Sequence, residues 1–487
     1  MTRPFRVAVV GAGPAGIYAG NILRTRAGEA GIEVQIDLFE SLPSPYGLIR
    51  YGVAPDHPRI KGIVTSLHDM LADGAVRLLC NVEIGADITV DELQELYHAV
   101  VFATGAQVDT HFDLPGLEKH GSFGAADFVS WYDGHPDVPR EWPLNARQIA
   151  VLGNGNVALD VARVLAKHPV DLLTTDIPEN VYAGLAASPV TDVHVFGRRG
   201  PDDIKFTPIE LRELGEVPGV DIVLYDEDFE NGGTAVGGAD KAAGGRAGAG
   251  EAIAHGARRA VGNQAKVMAR ILQSWRERES TDAPRRLHLH FWHRPVEILG
   301  DGDGDREGAG RVTAIRFERT EPDGAGGIRG TGEFVDYDVQ AVYRAIGYRG
   351  TPVRDVPFDE AAGVIPNDGG RVLDENGATV PRLYATGWIK RGPVGLIGHT
   401  KGDAAETVEK LLEDHASLSA AERADEDAVI AFLRSRGVRF TTWDGWLALD
   451  EHERALGEEF PGMQRERIKV VSRDEQVAIS NREVVAR

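Results

Sequence analysis

Gly11, Gly13 and Gly16 stand in a GxGxxG spacing, in the run Gly11-Ala12-Gly13-Pro14-Ala15-Gly16. Glycines so spaced serve to bring backbone against a pyrophosphate. The first permits a tight turn, the second leaves room for the phosphates, and the third lets a helix pack on a strand. Glu40 lies 24 residues past Gly16, where a carboxylate accepts hydrogen bonds from ribose hydroxyls. A second run, Gly153-Asn154-Gly155-Asn156-Val157-Ala158, repeats the pattern as GxGxxA. There Arg198 and Arg199 take the place of the acid. A guanidinium pair attracts a ribose 2′-phosphate that a carboxylate would repel. The first loop therefore suits an adenosine with free hydroxyls and the second suits NADP(H). A solvated hairpin end is the alternative for the two arginines.

These loops need strands and helices around them. Arg6–Val10 is expected as a buried parallel strand, with a helix from Ile17 to about Ala27 and a second strand at Glu33–Phe39. Gln148–Leu152, a helix from about Ala158 to Lys167, and Asp192–Phe196 form the second unit. Between about 168 and 191, Pro169, Pro178 and Pro189 predict an inserted loop. A third signature lies at Arg382–Thr386, followed by Gly387-Trp388, then Gly395-Leu396-Ile397-Gly398 before a helix from about Thr400 to Glu413. Its counterpart is Ala99–Thr104 with Gly105. Paired Ala-Thr-Gly strand ends with a late Gly-rich loop are how two-dinucleotide flavoproteins close over FAD. A helix N-terminus beside the flavin pyrimidine edge would stabilise negative charge on the reduced ring. Trp388 is expected beside the flavin, with plain core as its alternative. The fold class is α/β: a two-dinucleotide-binding-domain flavoprotein with a discontinuous FAD Rossmann-like domain (1–107 and 347–487, the latter with a C-terminal extension) and an inserted NADP(H) Rossmann-like domain (108–346).

Composition narrows the rest. The chain has 487 residues and a formal charge of −22, which disfavours nucleic-acid partners. Its single cysteine, Cys80, excludes a disulfide framework, a CxxC pair and cysteine-ligated clusters. No metal-ligand set is assigned. No apolar run approaches the ~18 residues of a membrane helix, and the early strand at Arg6 leaves no room for a signal sequence. A cytoplasmic protein is expected. Gly/Ala-rich segments at 231–250 and 301–310 read as mobile insertions.

Five segments carry a family likeness: PSPYGLIRYGVAPDHP (43–58), GNGNVALDVAR (153–163), GRRGPDDIKFTPIELREL (197–214), ATGWIKRGPVGLIGHTKGDA (385–404) and SRGVRFTTWDGW (435–446). Together they resemble the adrenodoxin reductase family of ferredoxin–NADP⁺ reductases over nearly the whole chain. The resemblance implies FAD contacts at Gly13, Pro14, Ala15, Glu40, Leu48, Val82, Trp388, Gly395, Leu396 and Ile397. It implies NADP(H) contacts at Asn154, Gly155, Asn156, Val157, Arg198, Arg199, Glu210 and Gly395. Leu48, Val82 and Glu210 come from the family alone; Glu210 would otherwise pass as an exposed helix carboxylate. The family usually carries an arginine where this chain has Thr110, which removes a positive charge from the expected nucleotide cleft.

By the same resemblance, NADPH gives hydride to the flavin, which passes single electrons to a ferredoxin-type iron–sulfur protein; the cofactors carry the chemistry. Asp56, His57 and Glu210 are the candidate catalytic residues. His57 would hydrogen-bond or balance protons around the ring and Asp56 would orient it, or the two would only tie down a turn. A locally basic stretch at 258–286, with Arg258 and Arg259, is either a ferredoxin-steering patch or a solvated helix face. An NADPH diaphorase acting on quinones and a non-catalytic FAD/NADP(H)-binding redox sensor are the rival functions. Oligomeric state has no visible marker.

Overall fold

The computed structural model describes residues 4–204, 206–230, 265–301, 310–394, 397–418 and 425–482. Outside them lie Gly395, Leu396, Arg258, Arg259, the stretch 231–250 and all of 301–310 but its two ends.

Two parallel sheets organise the chain. In the first, Phe5–Val10 (FRVAVV) is buried at all six positions, as a strand covered on both faces must be. It pairs in parallel with Val34–Glu40 on one side and Ala99–Phe102 on the other. Val76–Cys80 lies beyond the former and Thr379–Ala385 beyond the latter, with a short antiparallel edge of Arg371–Leu373 and Asn367–Asp368. The second sheet runs Ser122–Gly124, Ala341–Arg344, Gln148–Leu152, Asp192–Phe196, Arg285–His290, Val220–Leu224, all parallel. The strands of the first sheet thus come from both sides of the segment that builds the second. Where the chain crosses between them, Val108–Asp109 pairs antiparallel with Tyr348–Arg349.

Helices Pro14–Glu29 and Ile397–Asp414 pack on one face of the first sheet, through Ala19, Leu23, Ala404, Val408 and Leu411. One face of the second sheet carries helix Asn156–Ala166, buried along Leu159, Val161, Ala162 and Leu165. The other is covered by a three-stranded antiparallel sheet, His293–Gly300, Val312–Pro322 and Ile328–Asp338, whose Ile298, Ile315 and Phe317 meet Leu152, Phe196 and Val342. After residue 425 come helices Ala428–Ser435, Trp443–Glu458 and Arg473–Ser480, and Trp446 and Leu449 of the second join the first sheet's core. No helix among the described residues is long and apolar enough to cross a membrane.

The dinucleotide helices begin earlier than hydrophobic periodicity alone predicts, at Pro14, Asn156 and Ile397. Proline fits the first helical turn because its missing N–H has no intrahelical partner there. The same fact corrects the expected loop at 168–191. That stretch holds a 3-10 turn, Pro169–Leu172, and a helix, Glu179–Ala187, capped by Pro178, with Val181 and Leu185 buried. Pro169 and Pro178 mark helix starts, and Pro189 follows a helix end.

Candidate functional site

Each glycine of the first loop does different work. Gly11 has φ +106°, and a Cβ there would sit 2.4 Å from the Ala103 carbonyl oxygen. At Gly16 a Cβ would fall 1.9 Å from the Gly11 carbonyl oxygen, so only glycine lets the helix close on its own turn. At Gly13 the nearest atom would be 4.0 Å away, and Gly105 (φ +78°) has nothing within 4 Å. These two positions leave open space at the C-terminal ends of the strands, the side on which open α/β sheets bind ligands. The other Ala-Thr-Gly end lies alongside, since the Thr386 N–H donates to the Phe102 carbonyl at 2.8 Å. Gly387 (φ +74°) faces Ala15, and Trp388 follows it, half-buried at the start of a short helix.

Glu40 ends its strand with 7 % exposure. Its carboxylate accepts from the N–H groups of Ala12 (2.9 Å) and Leu42 (3.1 Å) and from Ser41 Oγ (3.2 Å). Burial pushes its pKa up, against the pull of these donors. Leu48 opens the helix Leu48–Tyr51 half-buried, while Val82 is buried with Phe39 and Leu79 and donates its N–H to the Glu40 carbonyl. Thr104 Oγ1 is buried without a protein partner. An extended phosphate-bearing cofactor such as FAD fits this cradle: open backbone at Gly13 and Gly105, a held acid at the strand end, and an unsatisfied hydroxyl between them.

The second loop repeats the arrangement. Gly153 (φ +137°) would drive a Cβ to 2.2 Å from the Ala345 carbonyl oxygen, Gly155 has nothing within 4 Å, and Ala158 is fully buried. Asn154 and Val157 are half-buried on either side, and Asn156 Oδ1 is buried without a partner at the first turn of the helix. Arg198 is exposed, and no side-chain partner holds it among the described residues. Arg199 reaches Asp203 at 3.8 Å and the Gly326 carbonyl at 3.3 Å. A phosphate-bearing nucleotide fits this cradle as well.

The two halves meet at Asp56–His57, which lie against the helix of the second loop. Arg163 Nε and Nη2 clasp Asp56 at 2.9 and 2.8 Å, and Lys167 Nζ adds a 3.0 Å contact. Burial alone would raise the Asp56 pKa, but these two cations hold it well below the usual carboxylate range. His57 Nε2 meets Asp160 Oδ1 at 2.8 Å and Nδ1 meets Glu213 Oε2 at 3.1 Å. Burial opposes the charge on His57, yet Asp160 outweighs it and the pKa rises. Asp56 therefore does not orient His57 directly. The two share Arg163, whose Nη2 also lies 2.9 Å from Asp160. Glu210 is 7 % exposed, not an open helix carboxylate. It closes a capping box with Thr207 (Thr207 N to Oε2, 2.8 Å), and burial raises its pKa, with Asp160 and His57 acting through space.

The glycine motifs alone do not select Asp160, Arg163, Lys167 or Glu213. The first two stand in GNGNVALDVAR, and their i, i+3 spacing puts both on one helix face; that was the available signal. Gly395 and Leu396 lie outside the described residues, and Ile397 begins the helix Ile397–Asp414. Thr110 takes part in the crossing between the halves, donating its N–H to the Gly347 carbonyl (2.9 Å) and its hydroxyl to that of Tyr348 (3.2 Å). In the basic stretch, Arg276 is paired with Asp226 and Arg286 with Asp192, both at 2.6 Å, whereas Lys266 and Arg270 are exposed. Its free positive charge is smaller than the residue count suggests.

Known proteins resemble this chain in sequence and in fold. The family model for pyridine nucleotide-disulphide oxidoreductases matches residues 5–181. The lone buried Cys80 cannot supply the dithiol in that name. NADPH-ferredoxin reductase FprA of Mycobacterium tuberculosis is 36% identical over 480 residues, covering 96% of this chain and 98% of its own. Human mitochondrial NADPH:adrenodoxin oxidoreductase is 36% identical over 485 residues, covering 97% and 91%. The solved structure of M. tuberculosis FprA in complex with NADPH matches with a TM-score of 0.83 at 36% identity, over 98% of this chain and 100% of that one.

Proposed function

The chain belongs to the adrenodoxin reductase-type family of ferredoxin–NADP⁺ reductases, and on that premise we propose that it draws electrons from NADPH and delivers them to a ferredoxin-type iron–sulfur protein. FAD, when bound, supplies the conversion of a two-electron hydride into single electrons. The observation that carries this is a doubled one: the same strand–loop–helix unit occurs twice, ending in Glu40 in one copy and in Arg198 and Arg199 in the other. One unit is built for free ribose hydroxyls and the other for a 2′-phosphate.

The residues divide the work accordingly. Gly11 and Gly16 shape the first cradle, Gly13, Pro14, Ala15 and Gly105 face the flavin nucleotide, and Glu40 holds a ribose. Leu48, Val82 and Trp388 contact FAD as well, and the family resemblance adds Gly395, Leu396 and Ile397 to its contacts. Asn154, Gly155, Asn156 and Val157 take the NADPH pyrophosphate. Glu210, His57 and Asp56 sit where the two halves touch; His57 holds a proton there through Asp160 and Glu213, and Asp56 fixes Arg163. The domain boundaries fall at 107/108 and 346/347, a division that the Val108–Asp109/Tyr348–Arg349 ladder supports. The partner is a ferredoxin, and the compartment is the cytoplasm.

The test is anaerobic and optical. NADPH is expected to bleach the flavin bands of the purified protein faster than NADH does, and a ferredoxin is expected to restore them. Restoration by quinones alone would make the protein a diaphorase, and a protein that cannot be reconstituted with FAD would end the proposal.

A further inference from the structure

The strand Asp192–Phe196 runs out into Gly197-Arg198-Arg199-Gly200, and that turn is held by the three-stranded antiparallel cover of the second sheet and the segment leading into it. The Arg198 carbonyl accepts from the Thr320 hydroxyl at 2.8 Å. The Arg199 carbonyl accepts from the Trp292 N–H at 3.2 Å, and the Gly197 carbonyl from the His293 N–H at 3.0 Å. Thr320 is buried, and its own N–H donates to the Trp292 carbonyl at 2.9 Å. The Trp292 indole packs so close to Gly200 that a Cβ there would fall 2.1 Å from the ring. Main-chain position at both arginines is thus set from the antiparallel cover.

The two side chains are held unequally. Arg199 Nη1 reaches the Gly326 carbonyl at 3.3 Å and Asp203 at 3.8 Å, whereas Arg198 is exposed with no side-chain partner among the described residues. Gly326 lies in the tip of the hairpin that joins Val312–Pro322 to Ile328–Asp338. Asp323 shapes that tip: its Oδ1 accepts from the N–H groups of Ala325 and Gly327, each at 2.8 Å. Those two bonds, with Arg199 acting through space, lower the Asp323 pKa. The hairpin therefore brings to the arginines a carbonyl that orients one guanidinium and a carboxylate that offsets its charge.

We propose that the antiparallel cover sets the choice of NADPH over NADH: Thr320 and the hairpin tip at 323–327 determine specificity by positioning Arg198 and Arg199, an inference that rests on reading those arginines as the 2′-phosphate site. A guanidinium fork matches a phosphate only in a fixed orientation, and a hydrogen bond to the main chain of each arginine fixes the point from which it reaches. Arg199, docked on the tip, stands in place before the nucleotide arrives, which spares the ordering of a long side chain on binding. Arg198, free at its end, closes on the phosphate. Asp323 works in two directions. Its carboxylate closes the turn that presents the Gly326 carbonyl, and its charge repels a phosphate dianion.

The experiment is steady-state reduction of ferricyanide by the FAD-loaded protein, with NADPH and with NADH. Thr320→Val, which keeps the shape and removes the hydroxyl, is expected to raise KM for NADPH about fivefold, with kcat and both NADH constants unchanged. Thr320→Ser, which restores the hydroxyl, is expected to stay near wild type. Asp323→Asn keeps the acceptor of the turn and removes the charge, so KM for NADPH is expected to fall about twofold, most clearly at low salt. Thr331→Val removes a comparable bond elsewhere on the same sheet, to the Arg319 carbonyl at 3.1 Å, and is expected to match wild type. Flavin absorbance and the thermal midpoint check the fold of each variant, and the exposed Asp323 carries the test if Thr320→Val does not fold. Unchanged KM for NADPH in Thr320→Val and Asp323→Asn, equal losses with both nucleotides, or the same shift in Thr331→Val would overturn the proposal. The Arg198→Ala, Arg199→Ala double variant tells the two failures apart. If it loses its preference for NADPH while Thr320→Val keeps it, the cover has no part in the choice; if it keeps the preference itself, the 2′-phosphate site falls and the cover's role with it.

Discussion

At Arg198 and Arg199 the question is nucleotide selectivity. A hydrogen bond to a charged group contributes about 1.5–3 kcal/mol. Replacing both arginines by alanine should therefore raise KM for NADPH at least about tenfold while hardly changing NADH use. Steady-state kinetics with both nucleotides checks this, and equal losses would remove the 2′-phosphate role. His57 offers a test in pH. Its native pKa is raised above the ordinary ~6.5, so its ion pairs stabilise the fold fully below that value. Their contribution is lost as pH rises through the native pKa. Asp56 has the opposite sign: its pKa is depressed, so its contribution is present above about pH 4 and is lost on acidification. The contact between the halves is thus fully charged from about pH 4 to 6.5. The wild-type thermal midpoint should fall on the alkaline side of that window, and His57→Gln should flatten the fall. Parallel pH profiles for the two proteins would show that His57 adds no such linkage.

The glycine loops are tested at the scale of the element. Gly13 and Gly16 look alike in a motif but meet different surroundings: open space at one, and a backbone oxygen 1.9 Å from a would-be Cβ at the other. Gly13→Ala should leave the thermal stability of the FAD-free protein almost unchanged and weaken FAD binding. Gly16→Ala should destabilise even the FAD-free protein, by about 1–3 kcal/mol or more, because strand, turn and helix must separate. Thermal melts with and without added FAD distinguish the two, and identical behaviour would contradict the division of labour. In the second loop the third site is Ala158, whose methyl group is fully buried and would lie 3.5 Å from a Cβ on Gly153, an ordinary contact distance.

Across the whole molecule, the two halves are joined by charge buried on both sides. Lys61, four residues past His57, reaches Asp176 at 2.7 Å and Asp133 at 3.4 Å. Lys469, from the C-terminal segment, reaches the same two carboxylates at 3.0 and 3.4 Å and donates to the Arg50 carbonyl at 2.8 Å. Arg465 adds bonds to Glu179 and to the Ile177 carbonyl. The C-terminal segment is therefore a strap over both dinucleotide units. Lys469→Met leaves two buried carboxylates to a single lysine, and breaking such a network costs about 3–5 kcal/mol. Urea unfolding should show a loss of that size; a loss below about 1 kcal/mol would mean that Lys61 alone compensates both acids.

The sequence by itself determined what depends on neighbours in the chain. A dinucleotide loop is local backbone geometry, so Gly11 to Gly16 and Gly153 to Ala158 announce themselves, as does the exchange of Glu40 for Arg198 and Arg199. Helix ends are blurred in sequence because proline at a helix start reads as a break when only its neighbours are considered, and Pro178 hides the helix Glu179–Ala187 in this way. Tertiary structure alone decided what depends on partners far apart in the chain. Asp56 meets Arg163 across 107 residues, and Lys61 meets Lys469 around a shared pair of acids. The His194 and His288 rings stack at 4.1 Å only because two parallel strands place them opposite each other. Such pairs obey no periodicity in the chain; they follow from strand order and from which faces are buried, and those are properties of the folded molecule.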